Sequence, residues 1–171
     1  MTDVFPPPIL DVEASGFGSA SYLIEVGLVL SDGNTFCTLI TPANDWRHWD
    51  ESAEKVHGVT REILLRHGKP ANEVAREVNG RLRSSTVYSD SWYHDFTWLS
   101  HLFDAGDSAQ AFQLEDIRSL LSQAEADLWN ETKLRVLEEL QLNRHRAGND
   151  PRVLQATLMR VRRIGVETAQ R

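Results

Sequence analysis

Asp11 and Glu13 stand one residue apart at the end of an apolar run, in Ile9-Leu10-Asp11-Val12-Glu13-Ala14-Ser15-Gly16. Along a β-strand, residues i and i+2 face the same side, so both carboxylates would project together from a segment otherwise written for burial. Two like charges held side by side are unfavourable unless a cation neutralises them, and hard oxygen ligands suit Mg²⁺ or Mn²⁺. With 25 Asp and Glu among 171 residues, acid-x-acid triplets also arise several times by chance, so the pair needs partners. Two further segments offer them. Ser89-Asp90-Ser91-Trp92-Tyr93-His94-Asp95-Phe96-Thr97-Trp98-Leu99 places acids at a strand-to-helix junction, and His145-Arg146-Ala147-Gly148-Asn149-Asp150 sets a histidine before an acid at a helix start. Strand ends and helix starts along one edge of an α/β sheet are where sites form. Carboxylates converging there could hold two divalent cations about 4 Å apart, activating water and stabilising the leaving oxygen of a phosphodiester. A histidine on a connecting loop is suited to take the proton from that water.

The elements that must position these residues are legible in outline. A strand is expected at about 9–13, a small-residue turn at 14–20 and a long apolar strand from Ser21 to Leu30. Asp32-Gly33-Asn34 signals a hairpin, and Thr35 to Ile40 reads as the returning strand. Pro42 to Asp50 is a loop with Trp46 and Trp49, Glu51 to Val56 looks helical, and His57-Gly58 is a helix stop. A helix follows over Pro70 to Leu82, a short strand over Thr86 to Ser89, a helix over Tyr93 to Phe103 and a last strand over Gln110 to Leu114. A long helix to about Leu142 and a final one opened by Asp150-Pro151 complete the chain. Three strands in a meander, then alternating helix and strand, indicate an α/β fold with a mixed sheet, in one domain spanning 1–171.

Composition is that of an ordinary globular chain: 41% hydrophobic, 25% charged and a net charge of −7. The acidic balance argues against extended binding to duplex nucleic acid but not against gripping a few nucleotides. Arg160, Arg162 and Arg163 form a local basic stretch, readable as a solvated helix face or as a phosphate-facing patch. No apolar stretch is long enough to span a bilayer, and Met1 to Pro8 lacks the features of a secretory signal. The single cysteine, Cys37, reads as a buried strand residue with no internal disulfide, for which a reducing cytoplasm is the expected setting. Among the tryptophans, Trp92 is the best placed for stacking on a base because it neighbours Asp95, whereas Trp46 and Trp49 read as packing residues; His57 reads as a structural helix-end residue.

Taken together, these segments resemble the 3′–5′ exonucleases of the RNase H-like superfamily that carry the acid-acid-acid-histidine-acid (DEDDh) signature, a family including the proofreading subunit of bacterial replicative polymerase, RNase T and oligoribonuclease. Asp11-Val12-Glu13-Ala14-Ser15-Gly16 matches the first family motif, Ile24-Glu25-Val26-Gly27 the second-strand pattern, Val56-His57-Gly58-Val59-Thr60 the His-Gly-Ile-Thr segment, and His145, Ala147 and Asp150 the third motif. The second motif departs: Ser91 stands where Asn is usual and His94 where Phe is usual, with Asp95 matching the family acid and Asp90 a competing candidate. The resemblance implies an RNase H-like mixed five-stranded sheet, a three-stranded antiparallel meander plus parallel strands, flanked by helices. It implies Asp11, Glu13, Asp95 and Asp150 as ligands of two divalent cations (Mg²⁺ or Mn²⁺) and His145 as general base. It places Ala14, Ser15 and Phe17 beside the substrate, Phe17 either wedging against the terminal base or covering the core. The implied activity is hydrolysis of single-stranded DNA or RNA from the 3′ end, releasing nucleoside monophosphates. The altered second motif leaves a second reading, an inactive member serving as a nucleic-acid-binding or protein-interaction module. Several members of the family are dimers, so a homodimer is open.

Overall fold

A computed structural model describes residues 5–169. The apolar run that ends in Asp11 and Glu13 forms β1 (Ile9–Ala14), which pairs antiparallel with β2 (Leu23–Val29), itself antiparallel to β3 (Thr35–Leu39). The β2–β3 turn is closed by Asp32, whose carboxylate accepts from the Asn34 N–H at 2.9 Å, with Gly33 at φ 83°. On the other side of β1, β4 (Thr86–Ser89) and then β5 (Gln113–Asp116) run parallel, giving the order β3-β2-β1-β4-β5. This mixed sheet of meander plus parallel strands is the RNase H-like arrangement.

Six helices flank it: α1 (Glu51–His57), α2 (Arg61–His67), α3 (Ala71–Leu82), α4 (Trp92–Ala105), α5 (Gln123–Leu140) and α6 (Asp150–Ala169). The period-2 alternation of β1 assigns its two faces. Leu10 and Val12, with their cross-strand partners Leu28 and Val26, join Val74, Val78 and Leu82 of α3 and Leu99 and Leu102 of α4 in one core. Ile9 and its partner Val29 point the opposite way and pack with Ile117 and with Leu154 of α6. Asp11 and Glu13, in step with Ile9, therefore face the α6 side. None of the described helices is both long and apolar enough to cross a membrane.

Three details differ from expectation. The helix α2 was not expected; Thr60 caps it, its hydroxyl accepting from the Ile63 N–H at 3.2 Å, and its two turns bury only Leu64, too little periodicity to register. The last strand begins at Gln113 rather than Gln110. Asn79 of α3 takes the Ala111 N–H and the Ala109 carbonyl at 2.8 Å each, so the chain there is bonded to a helix and not to β4. Cys37, expected to be buried, lies exposed on the edge strand β3, because no strand among the described residues pairs beyond it; its thiol leans on Glu25 at 3.4 Å. Trp46 and Trp49 do pack: Trp46 stacks on Tyr22 at 5.1 Å, and Trp49 meets His57 edge-on. His57 is buried at the end of α1 and accepts the Val59 N–H on Nδ1 at 3.1 Å, as befits a structural residue. Of the basic stretch, Arg160 is spent on a bidentate pair with Glu139 of α5 at 2.7 and 2.8 Å.

Candidate active site

The acidic face of β1 continues onto β2. In the antiparallel register Asp11 lies opposite Gly27, and Glu13 opposite Glu25. Gly27 is required by close approach: a Cβ there would stand 1.5 Å from the Ala147 carbonyl oxygen, so only glycine lets the 145–149 segment lie down on the sheet. Glu25 then fastens that segment. Only 1% of its side chain is exposed, and it accepts from Arg146 Nη2 at 2.7 Å, Arg146 Nε at 3.2 Å and the Ala147 N–H at 3.1 Å. Charge-assisted bonds of this kind are the strong ones. Ahead of the anchor, His145 adopts a left-handed backbone (φ 58°) and donates its N–H to Asp150 Oδ2 at 3.1 Å. The bond ties the backbone of the loop at His145 to the first residue of α6.

The result is that one carboxylate oxygen from each of Asp11, Glu13 and Asp150 falls within 4.8 Å of the others. Asp95 enters from the first turn of α4, is 1% exposed, and stands outside that tight group while still acting on Asp11 electrostatically. Two buried oxygens, Asp11 Oδ2 and Asp95 Oδ2, have no hydrogen-bond partner. The titration behaviour follows. Burial, then the charges of Asp95, Glu13, Asp150 and Asp90, holds the Asp11 carboxyl well above its usual range. Burial, with Asp150 and Glu25 nearby, raises Glu13 to about 8, and Arg146 offsets part of this. Burial raises Asp95 to about 7; the neighbouring Ser89 hydroxyl pulls the other way without reaching full hydrogen-bond geometry. Asp150 is raised mainly by burial, against the His145 N–H. Buried oxygens with nothing to accept from, and carboxylates that resist ionising, are the condition a divalent cation relieves. The donor set is all oxygen, which fits a hard cation.

The cluster forms the floor of a cleft of about 390 Å³. Phe17 (72% exposed) and His145 both line it. Ala14 and Ser15 do not: both are buried, and the Ser15 hydroxyl accepts the Tyr22 N–H at 3.1 Å to close the β1–β2 connection. Trp92 also stays out, its indole N–H donating to the Leu114 carbonyl at 2.7 Å while its ring stacks on Phe96. The aromatic wall is made instead by His94 and Trp98, one helical turn apart on α4 and stacked at 5.6 Å. Asp90 lines the cleft with its carboxylate paired to Lys133 of α5 at 2.9 Å. Lys133, Leu137 and Arg144 were missed by sequence reasoning, and Val56 entered only within the Val56 to Thr60 motif; Lys133 and Leu137 offer only an i, i+4 pair on α5, a pattern any solvated helix contains. Glu25 did carry a signal, as the lone acid in the apolar run Tyr22 to Leu30.

No protein-family model and no curated protein sequence matches the chain. Solved structures do share its fold. The exonuclease I of Methylocaldum szegediense superposes with a TM-score of 0.67 at 17% identity, over 92% of this chain and 40% of that one. Escherichia coli exonuclease I in complex with a dA16 oligonucleotide gives 0.66 at 13% identity, over 92% and 41%, and a product-bound structure of exonuclease I gives 0.60 at 12% identity, over 89% and 41%. The chain thus spans about two fifths of the length of these structures.

Proposed function

We propose that this chain is a metal-dependent 3′–5′ exonuclease acting on single strands and releasing nucleoside monophosphates. The observation that carries the reading is the convergence of Asp11, Glu13 and Asp150 within 4.8 Å, with the buried Asp11 Oδ2 left unpartnered. The fold shared with exonuclease I, one structure of which holds a dA16 oligonucleotide, supports it. Asp11, Glu13, Asp95 and Asp150 would hold the cations, Mg²⁺ or Mn²⁺. Such ions supply water activation and stabilise charge on a leaving oxygen. His145, at the open side of the cleft and held by its N–H to Asp150, accepts the proton of the attacking water. As the new P–O bond forms, the bond to the 3′ oxygen of the preceding nucleotide breaks and that oxygen takes up a proton. Phe17 covers the terminal base, and Glu25, through Arg146 and the Ala147 N–H, keeps the histidine in reach without touching substrate.

The test is direct. With 5′-labelled single strands and Mg²⁺ or Mn²⁺, the wild type shortens the strand one nucleotide at a time from its 3′ end. Asp11→Asn and His145→Ala lose about 10²-fold or more of that rate. A wild type that leaves the strands intact, or either variant working at the wild-type rate, overturns the reading.

A further inference from the structure

A phosphodiester chain approaching a floor of clustered carboxylates is repelled unless the cleft walls supply positive charge. The protein as a whole does not supply it, with a net charge of −7. Among the residues lining the cleft, the only permanent cations are Lys133 and Arg144. Both lie on the α5 side, Lys133 one helical turn before Leu137 on the same face, and Arg144 just past the end of the helix. The α4 side of the same cleft is aromatic, with His94 stacked on Trp98. The cleft is therefore two-sided: cationic along α5, flat and stackable along α4.

Lys133 is not free. Its ammonium sits 2.9 Å from Asp90 Oδ2, and both side chains are partly open to solvent, at 28% and 29% exposure. A pair that solvent still reaches is weaker than a buried one and can be exchanged. Asp90 presents to Lys133 what a backbone phosphate would present, an anionic oxygen at hydrogen-bond distance. Arg144, exposed at the cleft edge, has no ion-pair partner among the described residues.

Building on the exonuclease reading, we propose that Lys133 and Arg144 bind backbone phosphates of the single strand upstream of the scissile bond, with its bases toward His94 and Trp98, and that Asp90 occupies Lys133 until the strand displaces it. Asp90 is then a placeholder for phosphate and not a cation ligand. Strand binding is electrostatic along one wall and indifferent to sequence along the other.

The experiment is fluorescence anisotropy of a 5′-fluorescein-labelled oligodeoxythymidine with the full chain in EDTA, repeated over about 50–200 mM salt. This readout needs no catalysis, so its failure is separable from failure of the exonuclease reading. Each lost phosphate contact lowers the steepness of log K against log salt by about 0.7. Lys133→Met and Arg144→Met are each expected to show that decrement, and Lys133→Arg to retain the wild-type slope. Lys69→Met, far from the cleft and paired with Glu77, leaves the slope unchanged. Asp90→Asn is expected to tighten binding several-fold by releasing Lys133. Slopes in Lys133→Met and Arg144→Met equal to wild type, a wild type that does not bind the strand, or an Asp90→Asn that binds no tighter overturns the proposal. A purely structural Lys133–Asp90 pair would change the melting temperature of its variants but not the slope.

Discussion

Replacing Arg146 by methionine isolates the anchor that holds the histidine-bearing segment to the sheet. The substitution keeps the aliphatic volume and removes two donors from Glu25, at 2.7 and 3.2 Å. Glu25 keeps the Ala147 N–H and the Cys37 thiol but is left with an unpaired charge at 1% exposure. Breaking a buried ion pair from one side costs about 3–5 kcal/mol. The Arg146 side chain is 44% exposed, so water can reach the vacated position and screening lowers the cost below that range, to about 2–3 kcal/mol. For a chain of this size, that is a fall in Tm of about 4–12 °C. Urea unfolding followed by circular dichroism should show the midpoint falling with the m-value unchanged. Adding Glu25→Gln to Arg146→Met removes the stranded charge and should recover at least half of the loss, a coupling that a double-mutant cycle measures directly. An Arg146→Met protein within about 0.5 kcal/mol of wild type, or two substitutions that simply add, would refute the anchor.

Other outcomes follow from the same coordinates. The acidic floor makes the metal-free protein less stable as pH rises. Glu13 goes from 4.5 to about 8 and Asp95 from 3.8 to about 7, so between about pH 4 and pH 8 the native state binds more protons than the unfolded chain. Stability in EDTA should therefore decline across that window, and the gain in Tm from Mn²⁺ should grow with pH; an EDTA curve that rises from pH 5 to pH 8 contradicts this. Asp11→Asn removes a buried carboxyl that resists ionising and should raise metal-free Tm at pH 8 while abolishing the Mn²⁺ response, both read from one thermal-shift series. Gly27→Ala forces a Cβ onto the Ala147 carbonyl and should lose the Mn²⁺ response with its far-UV spectrum retained. Asn79→Ala strands the Ala111 N–H and Ala109 carbonyl and should cost about 2–3 kcal/mol in urea, with cation binding unaffected.

The fold was largely legible because its signals are local. The meander is written in the apolar runs around Leu10, Val26 and Thr38 and in the Asp32-Gly33-Asn34 turn, whereas the capping box between Ser122 and Glu125 that opens α5 was not read from the sequence. The site was legible as a set of spaced acids, and the structure does bring Asp11, Glu13, His145 and Asp150 to one cleft. What sequence could not supply is which neighbours a backbone bond has already claimed. Trp92 looked available until Leu114 took its indole N–H, and Ser15 until Tyr22 took its hydroxyl. Lys133 and Arg144 were invisible for the opposite reason: they are remote in sequence from every acid they face except Asp150.

Gly27 has a consequence beyond the fit of one carbonyl. The hairpin that carries Asp11 and Glu13 is built from the first thirty or so residues, but its acidic face is roofed by a segment 121 residues away from Glu25. Closing so long a loop costs entropy that only the finished sheet and helices repay. A fragment ending before residue 145 would own two of the clustered acids but neither Asp150 nor the segment that Gly27 lets down onto them. Cation affinity, if the cluster has it, would depend on both segments, and its appearance would date the moment that they first meet.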